Sequence, residues 1–247
     1  MLNEISTQSW LLAAASAFIL GVAKAGLKGL DAIIVTLLAL AFGSKASTGI
    51  LVPLLIVGDI LAVIYYRRDL NRKLFLRIIP WILVGIVIGA IVAVDMPERG
   101  FRYAMATIII ISVMSMIALE RRSTQEIPSG HGFASLMGIL AGVTTMIGNL
   151  AGAFANIYFL ALRVPKNEFI GTAAWLFFVV NLFKLPFHIF SWHTITEQSL
   201  RIDAVLAGMV IVGFAMGVRV VSYISNQAYR HMILGLTMLG AVLILIQ

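Results

Sequence analysis

The chain carries one pattern of hydrophobic segments twice, and this duplication limits the folds open to it. Gly85 and Gly89 form a GxxxG step, and the same step returns 128 residues later at Gly213 and Gly217. Earlier positions match at a spacing of 121 or 122 residues, namely Gly21 with Gly142, Lys45 with Lys166, and Asp59 with Asn181. Duplicated hydrophobic halves are typical of secondary transporters, which bind their substrate where the halves meet.

The composition indicates that these halves fold within a lipid bilayer. Hydrophobic residues make up 61% of the chain and charged residues only 12%, about half the charge of a soluble domain. The apolar runs lack the short alternation of outer-membrane strands, so helices are the spanning elements. We predict an all-α polytopic membrane protein with two homologous halves, arranged as inverted repeats, and about 8–10 membrane segments. The repeats are predicted at 1–122 and 131–247, joined by a linker at 123–130.

Each half begins with two short segments separated by a glycine-bearing break, at residues 24–29 and 144–149. Crossing the hydrocarbon takes roughly 20 helical residues, so a shorter segment must tilt, meet a thinned bilayer, or enter and leave on one side. The apolar segments lie near 8–23, 30–43, 47–66, 76–95 and 101–119, and near 132–146, 151–163, 168–190, 202–221 and 228–246.

The distribution of positive charge predicts the orientation. Five cations crowd the third connection of the first half, which places that loop in the cytoplasm: Arg67, Arg68, Arg72, Lys73 and Arg77. The matching loop, 191–199, has no Lys or Arg, and this contrast favours inversion. The net charge of +7 is assigned to loop residues that touch lipid headgroups, so no nucleic-acid partner is expected.

Several functions lose support from residues that are missing. The chain has no cysteine, which excludes disulfides and thiolate metal sites. Its start, 1–4, lacks a basic region, so no cleavable signal peptide is expected. No zinc, phosphate-loop or serine-elbow motif is present. We therefore predict neither an enzyme nor a metal or other cofactor. The GxxxG steps are interpreted as packing within the chain, with a homodimer as the alternative.

Asp59 is the residue most in need of explanation, because a carboxylate within a membrane segment costs about 2.5–3.5 kcal/mol on insertion scales. Its repeat mate is Asn181, and Lys184 lies one turn further on. One interpretation is a polar centre at the midplane, with Asp59 as a proton-coupling residue and Asn181 and Lys184 binding substrate. The other is an Asp59–Lys184 pair that only satisfies itself.

The two breaks offer a site for an anion. Lys24, Lys28 and Asp31 surround the first, and Thr145 and Asn149 lie in the second. Helix starts beside such breaks present free N–H groups and a positive dipole end, and lysine adds a compact charge. The alternative is that Lys24 and Lys28 are ordinary edge lysines. Four other residues are weaker candidates for the site, because bonding to the helix backbone, packing or surface exposure also explains them: Thr144, Thr172, Trp175 and His188.

The stretch 21–29, with its Lys24-Ala25-Gly26, resembles the glycine-rich opening of the TauE/SafE sulfite-exporter family, although two alanines replace usual glycines. Residues 162–174 and 180–186 resemble its second-half motif and the continuation of that motif. The resemblance implies a multi-pass carrier in the bacterial inner membrane for sulfite, thiosulfate or small organosulfonates. It also implies export, tied to the proton gradient.

The predicted function is therefore secondary active transport of a small sulfur-containing anion by alternating access between the repeats. The alternatives are a passive anion channel, an uncoupled carrier for small carboxylates, or a scaffold that transports nothing. The anion, the direction of transport and the oligomeric state stay open at this point.

Overall fold

A computed structural model describes residues 5–121, 130–225, 228–229, 231–233 and 235–236. It is built from helices, with no strand in those ranges, which confirms the predicted all-α class. The helices are α1 (Thr7–Lys24), α2 (Asp31–Phe42), α3 (Ser44–Tyr66), α4 (Arg72–Ala93), α5 (Glu98–Arg121), α6 (His131–Gly148), α7 (Ala151–Ala161), α8 (Lys166–Pro186) and α9 (Glu197–Ser222). A π-helical turn, Phe187–Ser191, extends α8. Residues 123–129 of the predicted linker and most of the last segment, 228–246, lie outside the described residues.

Five of the described helices are long and apolar enough to cross a membrane, by length and composition: α3, α4, α6, α8 with its π-helical turn, and α9. Their outward faces remain apolar, as on α4, where Val84, Val87, Ile88, Ile91 and Val92 are exposed. Exposed aliphatic side chains on a spanning helix are what lipid tails solvate. The protein is therefore a multi-pass membrane protein.

The short helices α2 and α7 follow breaks in the helical backbone at 25–30 and 149–150. The predicted second break, 144–149, was wrong for 144–148, which form the last turn of α6. α2 has 12 residues and α7 has 11, so each rises only about 16–18 Å. α2 folds back on α1, where the Ser16 hydroxyl donates to the Ile34 carbonyl oxygen at 2.9 Å. Between α1 and α2 the chain turns at two glycines with positive φ, Gly26 at 124° and Gly29 at 93°. Residues with a Cβ rarely adopt this conformation.

The two halves are inverted relative to one another, as the packing direction of their helices shows. α4 and α6 run parallel, since Gly138 lies against Trp81 and Gly89 lies against Met146. In a parallel duplication α6 would instead point like α1, opposite to α4. Equivalent helices α3 and α8 run antiparallel, because Gly171 near the start of α8 lies against Asp69, just after α3. The predicted inverted repeat is confirmed for these helices.

The glycines of the GxxxG steps bring helices from opposite halves into close contact. The most extensive helix pairs are α4 with α6 and α1 with α9. Gly85 lies against Gly142 in the first pair, and Gly213 lies against Phe18 in the second. Close approach of small residues is how helices gain dispersion energy where lipid removes the hydrophobic drive. Both steps serve packing within the chain.

This packing predicts a loss of stability when a side chain is added at Gly213. In Gly213→Ala the new Cβ would collide with the Phe18 backbone, and such overpacking costs about 1–3 kcal/mol. Gly208→Ala, on the same helix, is the control, because nothing lies within 4 Å of its Cβ. Thermal unfolding in detergent, followed by tryptophan fluorescence, should show a lower melting temperature for Gly213→Ala alone. Equal melting temperatures would contradict the helix contact.

The two ends of the helix bundle differ in charge, and we call them the arginine-rich end and the Thr194 end. The arginine-rich end carries Arg67, Arg68, Arg72 and Lys73 after α3, beside the start of α8, where the Asn71 amide donates to Glu168 at 2.8 Å. The Thr194 end carries the connection between α8 and α9, which contacts the start of α3 through Gly49. There Glu98 accepts from the backbone N–H groups of Ser44 and Lys45, and so caps α3.

Candidate functional site

The centre of the protein contains an ion pair that joins the two repeats. The Lys24 ammonium contacts Asp59 Oδ1 at 2.5 Å, and the Asn181 amide donates to Asp59 Oδ2 at 2.6 Å. Asp59 is fully buried, with 0% exposure. Both carboxylate oxygens are therefore held, one by each half of the chain.

This contact lies near the middle of the bundle. Asp59 lies 15 residues after the first residue of α3, and Asn181 lies 15 residues after the first residue of α8. Because these two helices begin at opposite ends of the bundle, their contact is about equally far from both ends. Transporters built from inverted repeats bind substrate near such a midpoint.

Lys184 forms a second polar cluster, one turn along α8 from Asn181. Its ammonium donates to Asn149 Oδ1 at 2.6 Å and to Thr145 Oγ1 at 3.0 Å. Asn149 ends α6 in the left-handed conformation, with φ of 56°, and its amide donates to the Thr48 carbonyl oxygen at 3.2 Å. Lys184 has 0% exposure. Within the described residues its hydrogen-bond partners are neutral oxygens, with no carboxylate in contact.

Lys28 brings a third cation to the same region. The ammonium groups of Lys24 and Lys28 both lie over the Phe177 ring, 5.2 Å and 5.4 Å from its centroid. One aromatic face attracts each cation weakly and neutralises neither. Lys28 is only 5% exposed. The backbone just before Lys28 is held by two tyrosines. Tyr66 donates to the Ala25 carbonyl oxygen and Tyr229 to that of Gly26, each at 2.6 Å.

The amino ends of the two short helices meet beside these lysines. Asp31 is the first residue of α2, and its carboxylate lies against Gly152, the second residue of α7. Neither helix has a side chain that caps its amino end in the described structure. Both positive helix ends therefore face one spot, which a carboxylate of the chain already occupies. A Cβ at residue 152 would fill the position of the Asp31 carboxylate.

The structure thus brings together the main site residues singled out in the sequence, with two corrections. The suggested Asp59–Lys184 pair is wrong, because Asp59 contacts Lys24 and Lys184 contacts Asn149 and Thr145. The suggestion that Lys24 and Lys28 are edge lysines is also wrong, since both are buried.

The other two threonines do not reach the centre. The Thr144 hydroxyl donates to the Leu140 carbonyl oxygen on its own helix, which is the common fate of threonine in a membrane helix. Thr172 accepts from the Asn71 N–H group near the arginine-rich end. Both side chains are therefore structural in this conformation.

Sequence reasoning missed three buried residues. His188 was interpreted as a surface residue, but it is wholly buried against the Trp192 ring. Its position four residues after Lys184, on the same helix face, was the available signal. Asp203 is buried in α9 with neither carboxylate oxygen bonded within the described residues. Phe177 gave no signal, because an aromatic residue in an apolar helix is indistinguishable from core.

The donor set suits an anion better than a metal ion. Among the described residues, no three His, Asp or Glu side chains gather closely enough to hold a metal. The central polar groups are instead dominated by ammonium groups and amides, which bind oxyanions through charge and hydrogen bonds.

Fold and site together define the class of protein: a polytopic membrane protein whose inverted repeats enclose a buried polar centre, the architecture of secondary transporters. A family model described as "Sulfite exporter TauE/SafE" matches residues 12–244. The chain therefore belongs to the TauE/SafE sulfite exporter family, as the sequence motifs predicted. Comparisons with curated proteins and with solved structures gave no significant match.

Proposed function

We propose that this protein is a secondary carrier for small sulfur-containing anions in the bacterial inner membrane, with its arginine-rich end in the cytoplasm. Membership of the sulfite exporter family supports the sulfur chemistry and favours transport over catalysis. The buried cations support the sign of the substrate's charge. The repeats are taken as 1–122 and 131–247, with the substrate between them.

The observation that carries the proposal is the balance of charge in the centre. Three buried ammonium groups, those of Lys24, Lys28 and Lys184, lie near the buried carboxylate of Asp59 and the partly buried carboxylate of Asp31. With all five ionised, the group has one excess positive charge. Isolated charge is costly away from water, so a singly charged anion would bring the group to neutrality and be attracted for that reason.

The ion pair suggests how a proton enters the cycle. Lys24 is already neutralised by Asp59, so an arriving anion must compete with that carboxylate for the ammonium group. Protonation of Asp59 would remove the competition and release Lys24 to the anion. Proton and anion would then bind together. In an uncoupled exporter the membrane potential alone would drive the anion out of the cell, since it is worth about 2.3 kcal/mol per charge at 100 mV.

The burial of the site supports alternating access over an open pore. Lys24, Lys28, Asp59 and Lys184 are each at most 6% exposed, so the centre is closed toward both ends in this conformation. The tightly packed pairs α1–α9 and α4–α6 each combine one helix from either repeat. We propose that these pairs move as rigid units, so that the centre opens toward one end at a time.

Flux measured in liposomes tests this function. A carrier should show saturable uptake of sulfite or sulfoacetate, and counterflow against a preloaded unlabelled anion. Acetate uptake tests the alternative of a small-carboxylate carrier. A channel should give neither saturation nor counterflow at comparable rates, and a scaffold should give no flux. Either result would reject the proposal.

A further inference from the structure

A cleft opens on the Thr194 end of the protein. It encloses about 500 Å³ and lies where the α8–α9 connection meets the start of α3. Its polar lining includes Lys45, Glu98, Thr194 and Gln198, and Trp192 forms part of its apolar wall. None of these residues belongs to the buried centre described above.

His188 lies directly behind this cleft. Its Nδ1 is 2.8 Å from the Thr194 hydroxyl oxygen, and its ring centroid is 5.1 Å from that of Trp192. Thr194 and Trp192 both line the cleft, whereas His188 is 0% exposed. A layer one side chain thick therefore separates the imidazole from the cleft.

On its other side His188 leads to the polar centre. It follows Lys184 by four residues, so the two side chains share one face of α8 and its π-helical turn. Within the described residues, Nε2 of His188 has no hydrogen-bond partner although it is buried. If the Thr194 hydroxyl donates to Nδ1, then Nε2 carries the proton and is an unused donor. An unpaired donor in such a place is costly and invites a ligand.

The loop that covers His188 is held by hydrogen bonds to the π-helical turn and by one from the Trp192 Nε1–H group to the Ala90 carbonyl oxygen, at 3.3 Å. The N–H groups of Thr194 and Ile195 both donate to the His188 carbonyl oxygen, at 3.0 Å and 3.4 Å. Within this loop His193 has φ of 51°, a conformation that costs a non-glycine residue energy. Release of the loop would relieve this strain and expose His188 to the cleft.

We propose that His188 is a further anion-contacting residue, and that Thr194 and Trp192 form the gate between the buried centre and the cleft at the Thr194 end. The inference rests on the proposed function and extends it to the route of the substrate. A sulfur oxyanion leaving Lys184 would accept a hydrogen bond from Nε2 of His188 before it reaches the cleft.

The absence of cysteine from the native sequence makes a direct test available. Single substitutions His188→Cys, Gln198→Cys and Ala134→Cys each introduce one thiol, in the proposed route, in the open cleft and in the packed core respectively. Each variant is placed in liposomes and treated from the Thr194 side with two methanethiosulfonates of similar size. One reagent carries a sulfonate and the other a quaternary ammonium.

The thiol of His188→Cys should react, and the sulfonate reagent should be at least tenfold faster than the cationic one, after normalisation to Gln198→Cys. Sulfoacetate should slow the reaction, while Ala134→Cys should stay unmodified. Absence of reaction, or a preference for the cation, would overturn the proposal. Should His188→Cys not fold, Thr145→Cys, which lies behind the same gate, gives the same readout.

Failure of this inference is distinguishable from failure of the proposed function. Sulfoacetate that stabilises the wild-type protein but leaves His188→Cys unreactive would reject the gate alone. Selective reaction of His188→Cys without any anion binding or flux in the wild type would support the route and reject the transport proposal.

Discussion

Asp59→Asn should lower the melting temperature of the protein without a bound anion. It should also increase the rise in melting temperature that an added anion causes. The substitution leaves Lys24 buried without a carboxylate, since its one ion pair in the described structure is with Asp59. Removing one partner of a buried pair costs about 3–5 kcal/mol. A bound anion would replace the lost charge, so the melting temperature of Asp59→Asn should rise more steeply with sulfite or sulfoacetate than that of the wild type.

The same variant should separate exchange from proton coupling. Uptake driven by a pH gradient should be lost in Asp59→Asn, because residue 59 no longer exchanges a proton, whereas anion counterflow should persist. Unchanged pH-driven uptake would remove Asp59 from the coupling mechanism. The control is the double variant Lys24→Gln with Asp59→Asn, in which neither partner is charged. It should recover much of the lost stability without the enhanced response to anions, as expected of directly coupled residues.

Replacing Lys24 and Lys28 together with Gln should weaken anion binding by about 3 kcal/mol, or roughly 100-fold, because hydrogen bonds to charged groups contribute about 1.5–3 kcal/mol each. It would also turn the excess charge of the centre from positive to negative. Ligand-dependent thermal shift in detergent reports the affinity, since a ligand stabilises the state that it binds. Lys28→Gln alone retains the Lys24–Asp59 pair and should lose part of the affinity with little loss of stability.

The matched control for these variants is Arg67→Gln with Arg68→Gln. It removes the same number of positive charges from exposed positions at the arginine-rich end. Charges in water act weakly at a distance, so the anion affinity of this control should stay near that of the wild type. Equal losses in the two double variants would show that attraction by the overall charge, rather than the buried centre, governs binding.

Asp203 is a second buried carboxylate that differs from Asp59 in its surroundings. Neither of its oxygens has a hydrogen-bond partner within the described structure, while both oxygens of Asp59 are held. Its presence means that Asp59 is not the sole acidic group that could take up a proton inside the bundle. The Asp59→Asn experiment therefore gains from a parallel Asp203→Asn variant measured in the same liposomes.

The sequence by itself determined the helices, their membrane setting and the residues worth attention. Apolar segments of membrane length leave few alternatives to helices, and the cost of Asp59 in lipid marked it as a residue needing a partner. The recurrence of the GxxxG steps predicted a duplication, and the contrast in charge between matching loops predicted that the repeats are inverted. Each of these inferences rests on local composition or on energetic cost, which a linear chain already contains.

Tertiary structure alone decided which polar groups meet. The sequence suggested Lys184 as the partner of Asp59 and gave no sign of Lys24, because the choice depends on how each helix is rotated and how deeply its residues lie. The antiparallel crossing of α3 and α8 brings Asn181 to Asp59, while the end of α1 brings Lys24. The burial of His188 depends likewise on the loop that folds back over it. Contacts between segments distant in sequence are set by packing of whole helices, and no local pattern encodes them.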